Sequence, residues 1–167
     1  MAKIRVFPNR ESLYTSLPKD AIGAELGVQR GDNAKILFKV AEPRELHLID
    51  MWERRHPYNL VRELFAPHEQ VIIHQAATQD LVVDFDDEYF DWIYVDADHA
   101  YNSVNRDLRL YHSKVKENGL VLGHDFFNHG RNHMDVIKAV LECVADGLFE
   151  FLYLTKERYP SYGLRRL

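Results

Sequence analysis

Residues 91–101 read DWIYVDADHAY, and this stretch decides the fold. Its first half, Trp92-Ile93-Tyr94-Val95, is an unbroken run of aromatic and β-branched residues closed by Asp on both sides. Such a run reads as a strand buried on both faces, as in a parallel sheet. Asp96, Asp98 and His99 follow at once, at the carboxyl end of the strand, where open α/β sheets bind their ligands. Asp96 and Asp98 are two positions apart and share a side in extended backbone, so their charges repel unless a cation or hydrogen bonds offset them. Two readings stand at this point. The pair serves a divalent ion or a proton transfer, or Asp98 caps a helix starting near Tyr101 while Asp96 accepts loop amides.

Working outward, Val104, Leu108, Tyr111 and Val115 recur at three- and four-residue steps. They predict an amphipathic crossover helix over 102–116, ended by Asn118-Gly119. A second apolar run, Gly119–Leu122, leads into Gly123-His124-Asp125-Phe126. A strand–helix–strand unit places its strands parallel and winds right-handed. Asp96 and Asp125 therefore reach the same sheet edge, where two carboxylates could share a hard cation such as Mg2+.

The rest of the chain supplies more such units. Ala21–Gly27 predicts the first strand of this unit series, with a helix from about Asp32 to Val40. Gly27 and Gly31 bracket the turn between them. Glycine there permits positive φ and close approach of a ligand, and the helix start favours an anion. The turn lacks G-x-G-x-x-G, the dinucleotide fingerprint. Glu45–Asp50 is the second strand and ends in an acid about 20 residues past the glycines, the place of a ribose-binding carboxylate. Trp52 either packs beside a bound adenine or fills the core under a loop. A helix over Pro57–Phe65 and a strand over Gln70–His74 follow, then Ala76-Ala77-Thr78 and a solvated acidic segment, Asp80–Tyr89. After the central unit come a polar loop, Asn128–His133, with His129 and His133, then a helix over Met134–Ala145 and a closing strand pair, Phe149–Leu154 and Tyr162–Arg166. Met1–Lys19 is a lead-in segment with a short helix over Glu11–Leu17 and no assigned chemistry. The 167 residues thus predict one α/β domain.

Composition narrows the function classes. A 46% hydrophobic, 28% charged chain can bury a core, and a net charge of −5 disfavours non-specific nucleic-acid binding. Cys143 is the single cysteine and cannot form an internal disulfide; its place on an apolar helix face predicts a small buried hydrophobe. No signal-peptide core and no bilayer-length apolar run is present, so a cytoplasmic location is expected.

Four stretches resemble class I S-adenosylmethionine-dependent methyltransferases: Glu25–Gly31 (ELGVQRG), Leu48–Trp52 (LIDMW), Ile93–Tyr101 (IYVDADHAY) and Gly119–Asp125 (GLVLGHD). The third is the most specific, and it is most similar to the small-molecule O-methyltransferase branch that includes macrocin- and novobiocin-type sugar methyltransferases and cephalosporin-hydroxylase-like proteins. The resemblance implies a Rossmann-like sheet of seven strands, mostly parallel, with the last antiparallel and helices on both faces. It implies S-adenosylmethionine held by Glu25, Gly27, Val28, Gly31, Asp50, Met51, Trp52, Ala77 and Asp96, with Asp50 on the ribose hydroxyls. It implies Mg2+ or Mn2+ on Asp96, His124 and Asp125, with Asp98 or His99 as general base. A small hydroxylated acceptor would be O-methylated, without nucleic acid or membrane. The site would be open, closed by the 52–59 and 128–133 loops, or completed by a second subunit in a homodimer. Two other functions remain open on sequence: a non-catalytic cofactor-binding or interaction domain on this fold, and a nicotinamide-dependent oxidoreductase.

Overall fold

The computed structural model describes residues 3–127 and 135–167; the 128–133 loop, with His129 and His133, lies outside the described residues. The sheet grows from Phe90–Val95 (β5), whose alternation sends side chains to both faces. Trp92 and Tyr94 enter one core with Leu46 and Leu48, while Ile93 and Val95 enter the other with Ala24 and Leu26. All four residues of that run are buried, as a doubly covered strand requires.

Eight strands form one sheet in the order β1-β7-β8-β6-β5-β2-β3-β4. They are Arg5–Phe7 (β1), Ile22–Leu26 (β2), Glu45–Asp50 (β3), Val71–Gln75 (β4), β5, Val115–Gly123 (β6), Phe149–Thr155 (β7) and Tyr162–Arg166 (β8). All pairings are parallel except those of β8, which runs antiparallel to β6 and β7. The helices are Arg10–Tyr14 (α1), Asp32–Ala41 (α2), Arg55–Phe65 (α3), the single turn Thr78–Leu81 (α4), Tyr101–His112 (α5) and Val136–Ala145 (α6). Helices α1, α2 and α3 supply Leu13, Tyr14, Ala34, Leu37, Val61 and Phe65 to one core. Helices α5 and α6 supply Val104, Leu108, Tyr111, Ala139, Val140 and Cys143 to the other.

Two sequence expectations are corrected here. The sheet has eight strands rather than seven. The added one, β1, is three residues long, mostly exposed, and pairs with β7 at the sheet edge, too short to carry an alternation signal. Helix α5 ends at His112, not at Asn118-Gly119. Val115 fits the helical spacing from Tyr111, but it already pairs with Phe90 in the sheet, and the chain then bulges before Leu120 pairs with Trp92. Asn118 takes up the bulge at φ 62°.

The topology also fixes where a ligand can sit. From β2 the chain winds outward through β3 to β4, then returns to β5 on the other side of β2 and continues to β6. The strand order therefore reverses between β2 and β5, and the crevice at their carboxyl ends is the binding place in such sheets.

Candidate active site

Gly27 ends β2 and Asp96 follows β5, side by side at this reversal. The Gly27 amide donates to the Ile49 carbonyl at 2.8 Å, and the Asp96 amide to the Leu26 carbonyl at 2.8 Å. Gly27 has φ 88°, and a Cβ there would lie 2.3 Å from the Ala97 Cα. Only glycine satisfies both the left-handed backbone and the contact.

Asp50 organises the turn. Its Oδ2 accepts the backbone N–H groups of Val28 (2.9 Å) and Gln29 (2.8 Å), and its Oδ1 accepts that of Trp52 (2.8 Å). Gln29 and Trp52 both have positive φ, 52° and 39°. Strain of this kind persists where surrounding bonds over-determine it. Trp52 is buried, and its indole N–H donates to the Gln29 carbonyl at 2.7 Å. The ring belongs to the buried core with Val61 and Phe65 and does not line the crevice. Gly31 does not line it either. At φ 84° it stands as the N-cap of α2 against Val61 and Leu64.

Two adjoining cavities flank Gly27, Asp50 and Ala97. The first, about 240 Å³, is lined by Ile49, Met51, Ala77, Gln79, Asp98 and Arg106 among others. The second, about 480 Å³, takes in Glu25, Val28, Asp96, His99, His124 and Asp125. Seven of the nine residues expected around the cofactor, all but Gly31 and Trp52, line one cavity or both.

Glu25 is buried in the second cavity. Its Oε1 accepts from the Asn33 side-chain amide at 2.9 Å, and its Oε2 has no hydrogen-bond partner among the described residues. Burial pushes its carboxyl well above the ordinary carboxylate range. A ligand cation in the cavity beside it would draw this carboxyl back toward its ionised form.

The catalytic candidates divide. Asp98 accepts from the Ala100 N–H at 3.2 Å and the Ser103 hydroxyl at 2.6 Å, which ties it to the turn leading into α5; the N-cap itself is Ala100, without a side-chain cap bond. The Ser103 bond holds its carboxyl below the usual range. His99 turns the other way, with Nε2 at 2.7 Å from Asp125 Oδ2 and 3.4 Å from Asp96 Oδ1. Donation to these two carboxylates, Asp125 first, pushes the imidazole up to about 10. Asp125, at φ 56°, is held well below the ordinary carboxylate range. Burial opposes that shift, and donation from His124 and His99 outweighs it.

His124 Nδ1 lies 3.3 Å from Asp125 Oδ2 and 3.8 Å from Asp96 Oδ1. Asp96, His124 and Asp125 thus present one donor atom each, all within 4.8 Å of one another. The sequence reasoning brought Asp96 and Asp125 together through the parallel β5–β6 pairing, and the family resemblance added His124. It missed Asn33 and Arg10, which also line the second cavity. Asn33 carried a weak signal as a polar residue in the first turn of the helix that follows the glycines; Arg10 carried none.

Residues 24–126 match the family model described as a methyltransferase domain. The chain belongs to that methyltransferase family. The nicotinamide-dependent alternative is set aside. Solved structures share the fold at low identity. A Streptococcus mutans protein in complex with S-adenosylhomocysteine is 11% identical, with TM-score 0.72, over 95% of this chain and 96% of that one. The Burkholderia thailandensis 1,6-didemethyltoxoflavin-N1-methyltransferase, with 1,6-didemethyltoxoflavin and S-adenosylhomocysteine bound, is 13% identical, with TM-score 0.67, over 89% and 72%. An rRNA methylase from Streptococcus thermophilus is 10% identical, with TM-score 0.70, over 95% and 94%. No curated protein matches in sequence. Among the described residues no helix is long and apolar enough to cross a membrane.

Proposed function

We propose that this methyltransferase transfers the methyl group of S-adenosylmethionine to a hydroxyl oxygen of a small acceptor, assisted by a divalent ion. The observation that carries the reading is the second cavity. It runs without interruption from Glu25 and Asp50 to Asp96, His99, His124 and Asp125. Cofactor and ionisable cluster therefore share one space.

The residues fit the cofactor. Asp50 keeps acceptor capacity on Oδ1 for a ribose hydroxyl, since that oxygen receives only the Trp52 amide. Met51 and Ala77 wall the smaller cavity where the adenine would lie. Glu25 Oε2 would gain a partner from the cofactor's ammonium group. The residues also fit an ion. Two carboxylates and an imidazole suit Mn2+ or Zn2+ better than Mg2+. When bound, such an ion would supply a Lewis acid for the acceptor hydroxyl and neutralise the two carboxylates that hold His99 charged.

His99 is the residue placed to handle the acceptor's proton. While Asp125 and Asp96 remain unneutralised, it is an imidazolium at neutral pH and can only donate. Asp98, tied to Ser103 and Ala100, holds the start of α5 and so the position of His99. Much of the rate would come from holding hydroxyl and methyl donor together in one cavity.

The test is S-adenosylhomocysteine release from a panel of hydroxylated small molecules, with and without Mn2+. Metal-stimulated turnover that is lost in Asp96→Ala, with cofactor binding retained, supports the reading. Turnover that chelators and Asp96→Ala leave unchanged would remove the ion from it, and transfer to nitrogen acceptors alone would remove the oxygen.

A further inference from the structure

The lead-in helix α1 reaches the second cavity. Arg10 opens α1 and lines that cavity together with Glu25 and Asn33. The three are connected in one direction. The Tyr14 hydroxyl donates to Asn33 Oδ1 at 2.6 Å, an Arg10 guanidinium N–H reaches the same oxygen at 3.5 Å, and the Asn33 amide donates to Glu25 Oε1 at 2.9 Å. Arg10 and Glu25 are thus bridged by one side chain rather than joined to each other. Each has capacity left over. Glu25 Oε2 has no partner among the described residues. The long Asn33 contact and the neighbouring Tyr94 hydroxyl leave part of the five-donor Arg10 fork uncommitted.

A cavity presenting a guanidinium and a carboxylic acid, held apart by one residue, is complementary to a molecule carrying an anion and a cation a single carbon apart. That is the α-amino-acid end of S-adenosylmethionine. We propose that Arg10 binds the cofactor's carboxylate while Glu25 binds its ammonium group, so that α1 serves as the specificity element for the zwitterionic end. The inference rests on the cofactor assignment made above and deepens it. Arginine suits the task because its planar fork matches a carboxylate with two parallel bonds. Arg30 also lines the cavity, but it is exposed on the turn and serves as the internal comparison.

Calorimetric titration separates the ends of the cofactor. S-adenosylhomocysteine carries the amino-acid end, and 5′-methylthioadenosine keeps the nucleoside and sulfur without it. In Arg10→Met, affinity for S-adenosylhomocysteine should fall roughly ten- to hundred-fold, as for loss of a charge-assisted pair. Affinity for 5′-methylthioadenosine should stay within about two-fold, and Arg30→Met should lose clearly less S-adenosylhomocysteine affinity than Arg10→Met. Arg10→Lys should recover part of the loss, and it carries the test if Arg10→Met does not fold. Equal loss of both ligands, unchanged S-adenosylhomocysteine binding in Arg10→Met, or a loss that follows Arg30 instead would overturn the assignment. Wild-type protein that binds neither ligand would overturn the cofactor reading itself, whereas wild-type binding with no Arg10 effect would overturn this inference alone.

Discussion

Replacing Asp50 by alanine removes the acceptor for three backbone amides at once, those of Val28, Gln29 and Trp52, at 2.8–2.9 Å. Two of those residues, Gln29 and Trp52, sit at positive φ and depend on the surrounding bonds to stay there. A hydrogen bond to a charged acceptor is worth about 1.5–3 kcal/mol net. Here the Gln29 amide is at the surface and Asp50 is half-buried, so water can replace part of what is lost. Discounted to about 1 kcal/mol per bond, the variant should lose about 3 kcal/mol of stability. For a domain of this size each kcal/mol shifts the melting temperature by about 2–4 °C, which gives a drop of about 6–12 °C.

Thermal melting followed by circular dichroism checks this in the ligand-free protein. Asp50→Asn supplies the contrast, because its amide oxygen can still accept from the Val28–Gln29 pair while its NH2 faces the Trp52 N–H. It should recover roughly half of the lost stability. Asp50→Ala should also abolish measurable S-adenosylhomocysteine binding, and Asp50→Asn should weaken it. A melting temperature within about 1 °C of wild type for Asp50→Ala would refute the reasoning. It would mean that the turn is held by the β2–β3 pairing and Trp52 alone, with the carboxylate a passenger.

Other perturbations address separate parts of the site. Gly27→Ala adds a Cβ against the Ala97 backbone at φ 88°. Denaturant unfolding should show a loss of roughly 2–5 kcal/mol. His124→Asp exchanges an imidazole for an oxygen donor, and calorimetry should show the preference for Mn2+ over Mg2+ shrinking. In chelator-treated protein, His99 has its folded pKa raised to about 10 above the ordinary histidine value. Its stabilisation is therefore complete below about pH 6.5 and is lost as pH rises toward 10. Melting temperatures across that range should fall in wild type, and the fall should be shallower in His99→Ala; parallel profiles would remove the His99–carboxylate bonds from the account.

The sheet was legible because its central strands are buried on both faces and so contain apolar runs, as in 92–95 and 120–122. The approach of Asp96 to Asp125 was legible for a related reason. Parallel pairing of β5 with β6 puts Asp96 and Asp125 at one edge whatever the loops do. What could not be read were quantities set by tertiary contact. Trp52 has the composition of a ring-stacking residue, and only its hydrogen bond to the Gln29 carbonyl places it beneath the turn. Asp98 and His99 are neighbours of similar chemical promise. Ser103, one turn into α5, draws Asp98 away, while Asp125, on another strand, draws His99 in. Arg10 lay in a segment without periodicity, and its relevance depends on α1 packing against α2 through Tyr14 and Asn33.

The positive-φ residues tie these observations together. Gln29, Trp52 and Asp125 stand with Gly27 at the carboxyl ends of β2, β3 and β6. A non-glycine residue in that conformation costs of order 1–3 kcal/mol and is not needed to end a strand, since β4 and β5 end without one. What the strained turns achieve is direction. Gln29 and Trp52 bring three amides onto Asp50, and Asp125 carries its carboxylate back toward Asp96 and His124 instead of out into solvent, where it is buried against His99. If that direction is their purpose, relieving the strain without altering the turn should raise stability and leave ligand binding intact. Asp125→Gly keeps the backbone but deletes the carboxylate, so it cannot decide the matter. Gln29→Gly can, because the Gln29 side chain makes no bond in the Asp50 network and only its amide does. This variant should melt at or slightly above the wild-type temperature and still bind S-adenosylhomocysteine, with the gain limited to about 1 kcal/mol by the greater freedom of glycine in the unfolded chain. A clear loss of stability would show that residue 29 is not strained at all, and that the turn is simply the relaxed shape this sequence prefers.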